Sequence, residues 1–134
     1  MAMLLNIYNE NLGATVIIED DDKVCYAYLV VDESISSDVW LYNVCDAPSE
    51  PEWIEGGEMP FANSVAYISS ERMNPITTPS DVALDWISKT DSCLEVRVKV
   101  RGVVHALLRS GAKPGWCRLA VKSSPIARPL NDGV

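Results

Sequence analysis

Side chains that alternate in polarity every two residues are the feature that most constrains the fold of this chain. The clearest case is the segment 93–101, in which apolar and charged side chains alternate: Leu94, Glu95, Val96, Arg97, Val98, Lys99, Val100 and Arg101. Successive side chains of a β-strand point to opposite faces, so this period predicts a strand with an apolar inner face and a charged outer face. Gly102 ends the alternation and predicts a bulge or a tight bend.

The same pattern recurs along the chain between turn signals. It predicts further strands at Leu4–Tyr8, Ala14–Glu19, Val24–Val31, Asp38–Cys45, Ser64–Ser69, Val103–Arg109 and Trp116–Lys122. The segment Asp81–Ile87 also alternates, and a short helix is the competing interpretation there. Because Val24–Val31 is apolar on both faces, we expect it to be a central strand that is covered on both sides.

Eight or nine strands with little helix predict an all-β fold. The 134 residues suit one domain, and strands that follow each other through short connections pair mostly antiparallel. A sheet of this length folds over on itself, so we expect a β-sandwich or a partly open β-barrel over residues 1–134. The proline-rich stretch 46–62 predicts a long irregular loop. The connection 32–37 is polar, and the tail 123–134 is expected to lie along the surface or to fray.

Charge is distributed unevenly between the two parts of the sequence. Residues 1–60 hold 13 acidic residues and one basic residue, Lys23, whereas residues 61–134 hold six acidic and ten basic residues, which together give the net charge of −8. An acidic half disfavours nucleic acids and anionic membranes as partners, and it favours a basic protein. The row Arg97, Lys99 and Arg101 is interpreted as a solvent face that protects a sheet edge or meets the acidic half of a second copy.

Few features of the sequence point to a cofactor, a metal or a membrane. The chain has no apolar run of about 18 residues and no basic, apolar leader, so we expect a cytoplasmic protein. Its cysteines, Cys25, Cys45, Cys93 and Cys117, are far apart, which favours reduced thiols over disulfides or zinc. The acidic run 19–22 lacks the spacing of a calcium loop and predicts a solvated turn. No phosphate-binding glycine loop is present, and no cofactor or metal is expected.

The loop 46–61 is the most unusual segment and the first candidate binding site. Its acidic and large apolar residues are Asp46, Glu50, Glu52, Trp53, Glu55, Glu58, Met59 and Phe61. Acidic groups around an exposed aromatic anchor would bind a basic protein. In the alternative interpretation, Trp53 and Phe61 fold back and cap the core while the acidic groups stay in water.

The only histidine, His105, lies in an apolar strand without a nucleophile motif near it, so the sequence favours a non-catalytic protein. The leading hypothesis is an acidic interaction protein, comparable by analogy to an immunity or inhibitor protein for a basic partner. One alternative is a small-molecule binder or an enzyme with a pocket near His105, Tyr26 and Trp40. Another is a homo-oligomeric structural protein held by the acid–base asymmetry.

Overall fold

Two β-sheets make up the fold in the computed structural model, which describes residues 2–53, 61–90 and 93–130. The first is an antiparallel meander in the order β1-β2-β3-β4, with strands β1 (Met3–Asn9), β2 (Ala14–Asp20), β3 (Val24–Val31) and β4 (Ser34–Asn43). The second follows the order β5-β6-β7-β8-β9, with strands β5 (Val82–Thr90), β6 (Cys93–Val100), β7 (Val103–Arg109), β8 (Trp116–Cys117) and β9 (Arg128–Pro129). Only the pair β8–β9 is parallel among these strands.

The all-β prediction is confirmed, and the packing of the two sheets is that of a sandwich rather than a closed barrel. Helical structure in the described residues is limited to two short 3-10 turns, Val65–Tyr67 and Pro79–Asp81. The segment from residue 82 is a strand and not a helix. No helix in the described part of the chain is long and apolar enough to cross a membrane.

The core lies between the sheets and comes from the alternating positions of the strands. Val16 and Ile18 of β2, Leu29 of β3, and Val96 and Val98 of β6 are all fully buried. Strand β3 is also covered on its second face, as predicted, because the Tyr26 hydroxyl donates to the Phe61 carbonyl at 3.0 Å. The segment after residue 60 therefore closes over the middle of the four-stranded sheet.

The two sheets are joined by hydrogen bonds along β4. The N–H groups of Gly111 and Gly115 donate to the carbonyls of Ser36 and Asp38, at 2.9 and 2.6 Å. The Trp40 N–H donates to the Ile126 carbonyl at 2.9 Å. Since these bonds use the outer edge of β4, that edge is not available to another strand.

Three predictions about the second half of the chain are wrong. Residues 64–69 form a 3-10 turn and one isolated bridge, Ile68 with Ala120, instead of a strand. The strand that begins at Trp116 ends at Cys117, because residues 118 and 119 form a turn in which the Ala120 N–H donates to the Cys117 carbonyl at 3.2 Å. The described part of the tail, residues 123–130, is not loosely packed on the surface, since Ile126 and Ala127 are fully buried and β9 follows them.

Two smaller corrections concern single turns and faces. The connection 32–37 is only a two-residue turn, in which Asp32 and Glu33 have φ values of 52° and 65°, and β4 begins directly after it. Glu95 was expected on the solvent face but is only 3% exposed. It is buried because the Arg109 side chain covers it, with Nε donating to Glu95 Oε1 at 2.7 Å. The tight bend at Gly102 is confirmed, with φ values of 50° at Arg101 and 84° at Gly102.

Candidate binding surface

The acidic β2–β3 turn and the segment after β4 meet at one end of the four-stranded sheet. The N–H groups of Val44 and Cys45 both donate to the Lys23 carbonyl, at 2.8 and 3.0 Å. The Lys23 ammonium lies 3.1 Å from Glu52 Oε1, and the same oxygen accepts the Ala62 N–H at 2.7 Å. Two acidic features that are about 25 residues apart therefore form one surface. We call it the acidic end: Glu19, Asp21, Asp22, Asp46, Glu50 and Glu52.

The carboxylates of Asp20 and Asp21 stabilise the β2–β3 turn by accepting hydrogen bonds from its backbone N–H groups. Asp21 Oδ1 accepts the N–H groups of Lys23 and Val24, both at 2.9 Å. Asp20 Oδ1 accepts the Asp22 N–H at 2.9 Å, and its Oδ2 accepts the hydroxyl of buried Tyr42 at 3.1 Å. Such Asx bonds stabilise turns in which one residue has a positive φ, as Asp22 does at 72°. In the described residues no three side chains converge as metal ligands would.

The predicted loop site is only partly on the acidic end. Asp46 and Glu50 are exposed, and Glu52 is half-buried beside Lys23. Trp53 and Phe61 pack against the core, as in the second of the two interpretations. The Trp53 ring stands edge-on to Tyr67 with centroids 5.0 Å apart. The remaining three residues of the prediction lie outside the described residues: Glu55, Glu58 and Met59.

A cleft of about 550 Å³ opens beside the acidic end, since two of its lining residues, Cys45 and Ala47, flank Asp46 in the chain. Its apolar walls are Trp40, Tyr42, Val44, Ile68, Met73 and Leu119. Its polar lining is Asn43, Ser69, Ser70, Glu71 and Arg72. Apolar walls with a few polar groups, at this volume, are typical of sites that hold a small molecule or an inserted side chain.

Asn43 fixes the segment 61–64 behind the cleft. Its Oδ1 accepts both the Trp40 indole N–H at 2.9 Å and the Asn63 N–H at 2.8 Å. Its Nδ2 donates to the Asn63 carbonyl at 2.8 Å. The side-chain amide of Asn63 and the hydroxyl of Ser64 are buried without a hydrogen-bond partner among the described residues. Buried polar groups of this kind are rare, and they leave hydrogen-bonding capacity next to a residue that lines the cleft.

The three residues predicted to line a pocket are neighbours in the fold but do not line one cleft together. Tyr26 pairs with Trp40 across β3 and β4, and His105 hydrogen-bonds to the carbonyl of the next residue, Leu41. Trp40 lines the cleft, whereas Tyr26 and His105 are not among its lining residues. All three are almost fully buried, at 1% exposure each. His105 contacts Tyr42 edge-on at 6.5 Å between ring centroids, so it lies behind the cleft wall rather than in the cleft.

His105 and Cys117 meet at the bulge of β4, where Leu41 is the unpaired residue. His105 Nε2 donates to the Leu41 carbonyl at 2.7 Å, and the Cys117 thiol donates to the same oxygen at 3.4 Å. Burial lowers the pKa of His105 to about 4 and raises the pKa of Cys117 to about 12. Both groups are therefore neutral near pH 7, and they cannot act as the thiolate–imidazolium pair of a cysteine nucleophile.

Sequence reasoning missed most of the cleft. Its wall from Ile68 to Met73 belongs to a segment with no regular period, so no pattern distinguishes these residues from an ordinary loop. The aromatic pair Trp40 and Tyr42 was the one available signal, because two large aromatic residues on one strand need cover or a ligand.

Comparison with known proteins adds no functional information. No family model, no curated protein and no solved structure shows significant similarity to this chain. The function must therefore be inferred from the surface itself.

Proposed function

We propose that this protein is a non-catalytic binding protein whose acidic end receives a basic protein partner. The observation that carries the proposal is that the acidic end has exposed carboxylates, whereas its one lysine is already in an ion pair within the chain. Lys23, the only Lys or Arg among residues 1–60, already lies against Glu52. Exposed carboxylates such as Asp46 and Glu50 thus dominate this end, and a cationic surface would be steered to it.

The cleft gives the acidic end an apolar centre. Charge guides association, whereas buried apolar or aromatic anchors supply most of the affinity in protein interfaces. A side chain from the partner that enters between Trp40 and Met73 would be such an anchor. This combination is the reason to prefer a protein partner over a small cation.

The arginines of the second half argue against acid–base stacking of identical copies. Arg97, Arg101, Arg109 and Arg118 each lie within 4 Å of a carboxylate in their own chain. A second copy would have to compete with these internal pairs, whereas a foreign basic protein would not.

The four thiols are unpaired, and a reducing cytoplasm remains the compartment we expect.

The test is affinity capture from a lysate of the native host, with three versions of the protein as bait. One is the natural chain, and one carries Asp46→Lys and Glu50→Lys in the acidic end. The matched control carries Glu10→Lys and Glu33→Lys, which change the charge equally at the opposite end of the same sheet. We expect one basic protein on the natural and control baits and its loss from the acidic-end variant and at high salt. Equal capture by all three baits, or no capture, would overturn the proposal.

A small-molecule function is the second candidate, and the volume of the cleft favours it. Pockets for small molecules measure about 300 to 1,000 Å³, and the cleft lies in that range. A thermal-shift screen of metabolites on the natural chain and on Ala47→Trp tests it, because Ala47 lines the cleft and an indole there would fill it. Compounds that raise the melting temperature of the natural chain alone would support this function over the first.

A further inference from the structure

The outer edge of β1 differs from the other three edges of the two sheets. Strand β4 is closed because it accepts the N–H groups of Gly111 and Gly115 and donates its Trp40 N–H to the Ile126 carbonyl. Strand β9 is two residues long and contains Pro129. Strand β5 carries Asp85, and its register shifts before its end. Charges, proline, bulges and short length are the devices by which proteins prevent edge-to-edge pairing.

None of these devices is found on β1. Its seven residues, Met-Leu-Leu-Asn-Ile-Tyr-Asn, include no charge, proline or glycine. Its register with β2 is continuous from Met3 to Asn9. Within residues 2–53, 61–90 and 93–130, the backbone of this strand has no hydrogen bond from an element other than β2. Leu4 and Tyr8 are 60% and 65% exposed, so the free edge also presents apolar side chains.

We propose that β1 pairs antiparallel with β1 of a second copy, with Asn6 on the two-fold axis. In this register Leu4 of one copy faces Tyr8 of the other on the outer side, and Leu5 faces Ile7 on the inner side. The strand is thus complementary to itself on both faces, as a two-fold symmetric interface requires. The two meanders become one eight-stranded sheet, and the dimer carries two acidic ends.

Charge selects a second copy over a basic strand for this edge. A cationic strand would find no carboxylate on β1. Two copies do not repel strongly, because ideal strand geometry places the nearest exposed carboxylates, Glu19 of one copy and Glu10 of the other, about 12 Å apart. That distance exceeds the Debye length of about 8 Å at physiological ionic strength. The proposal does not depend on the proposed function.

Analytical ultracentrifugation of the natural chain and two lysine variants tests it. Asn6→Lys places two like charges against each other at the axis, and the exposed side chain of Asn6 makes it neutral for the fold. Ala83→Lys is the matched control at an exposed position of β5, the other free edge. Over about a hundredfold range of concentration, we expect the natural chain and the control to dimerise equally. The Asn6→Lys variant should dimerise at least about tenfold more weakly.

Mixing the variants Asn6→Lys and Asn6→Asp tests the register itself. Each alone should dimerise at least about tenfold more weakly than the natural chain, with an unchanged melting curve. The mixture should dimerise within about threefold of the natural chain, because opposite charges then meet at the axis. A natural chain that is monomeric throughout overturns the proposal. So does a dimer that only Ala83→Lys weakens, or one whose loss in Asn6→Lys is not restored by mixing.

Discussion

The four-stranded sheet and the five-stranded sheet use their charges in opposite ways. In the first, Asp46 and Glu50 are exposed, and Lys23 at the same end lies against Glu52. In the second, arginines are paired internally, and the Trp116 ring lies between Arg109 and Arg128, 4.6 and 4.1 Å from its centroid. The net negative charge of the first half is therefore available to a partner, whereas much of the positive charge of the second half is already used in its own fold.

We expect the largest loss of stability from a substitution where the two sheets are joined by hydrogen bonds, at Gly115 beside β4. A Cβ on Gly115 would overlap the Leu107 carbonyl oxygen and approach Val39 Cβ at 3.3 Å. We expect Gly115→Ala to lower the free energy of unfolding by about 3 kcal/mol, because backbone must move to accept it. Gly13→Ala meets no atom within 4 Å, so only its positive φ should cost, about 1 kcal/mol. Urea unfolding of both variants measures this, and equal losses would contradict it.

Removing the arginine from a buried ion pair of the five-stranded sheet should cause the second-largest loss of stability. Arg109→Met leaves the buried Glu95 carboxylate without the guanidinium at 2.7 Å, and we expect a loss of about 2 to 3 kcal/mol. Arg97 and Asp85 are more exposed and lie 3.8 Å apart, so Arg97→Met should cost less than about 0.5 kcal/mol. The comparison is by chemical denaturation, and a large loss in Arg97→Met would show that the surface pairs of this sheet also hold the fold.

The burial of His105 should make the free energy of unfolding decrease as the pH falls, because burial lowers the pKa of this side chain. Its pKa is lowered from 6.5 to about 4 on folding, so the unfolded chain binds the proton more tightly between these values. Stability is full above pH 6.5 and is lost as the pH falls, by about 2 kcal/mol between about pH 7 and pH 5. His105→Gln keeps a donor for the Leu41 carbonyl but does not titrate. Its unfolding free energy should depend less on pH, and an unchanged slope would assign the effect to carboxylates.

Charge reversal on the two sheet surfaces should have the smallest effect on folding. Glu50→Lys reduces repulsion at the acidic end and should stabilise by a few tenths of a kcal/mol at low salt. Arg97→Glu should destabilise by a similar amount, because it places a second carboxylate beside Asp85. Melting temperatures at low and high salt measure both. Opposite signs that shrink with salt are expected, and a large effect of Glu50→Lys would show that the acidic end is needed for the fold.

Much of the strand content could be predicted because each prediction rests on local alternation. The bounds of β3 and β7 are the predicted ones, since turn residues limit both strands. The errors arise where long-range contacts override the pattern. Residues 118–122 alternate like a strand, but their pairing with residues 67–69 is reduced to the isolated bridge of Ala120 with Ile68. The buried part of the tail is held by β4, where the Trp40 N–H donates to the Ile126 carbonyl, rather than by its own composition.

The binding surface was predictable only in part for the same reason. Asp46 and Glu50 were identified from composition and are exposed. The junction of the acidic turn with the segment after β4 depends on backbone hydrogen bonds to Lys23, which no sequence pattern records. The cleft depends on Leu119 and Met73 arriving at the same strand from distant segments.

The sequence by itself determined the all-β class, most strands and the charge of each half, because periodicity and composition are local properties of a chain. Only the tertiary structure decided which charges stay free. Glu95 became buried under Arg109, whereas Asp46 and Glu50 remained in water beside a cleft. The physical reason is that pairing and burial depend on which surfaces meet in space, and residues far apart in the chain decide that.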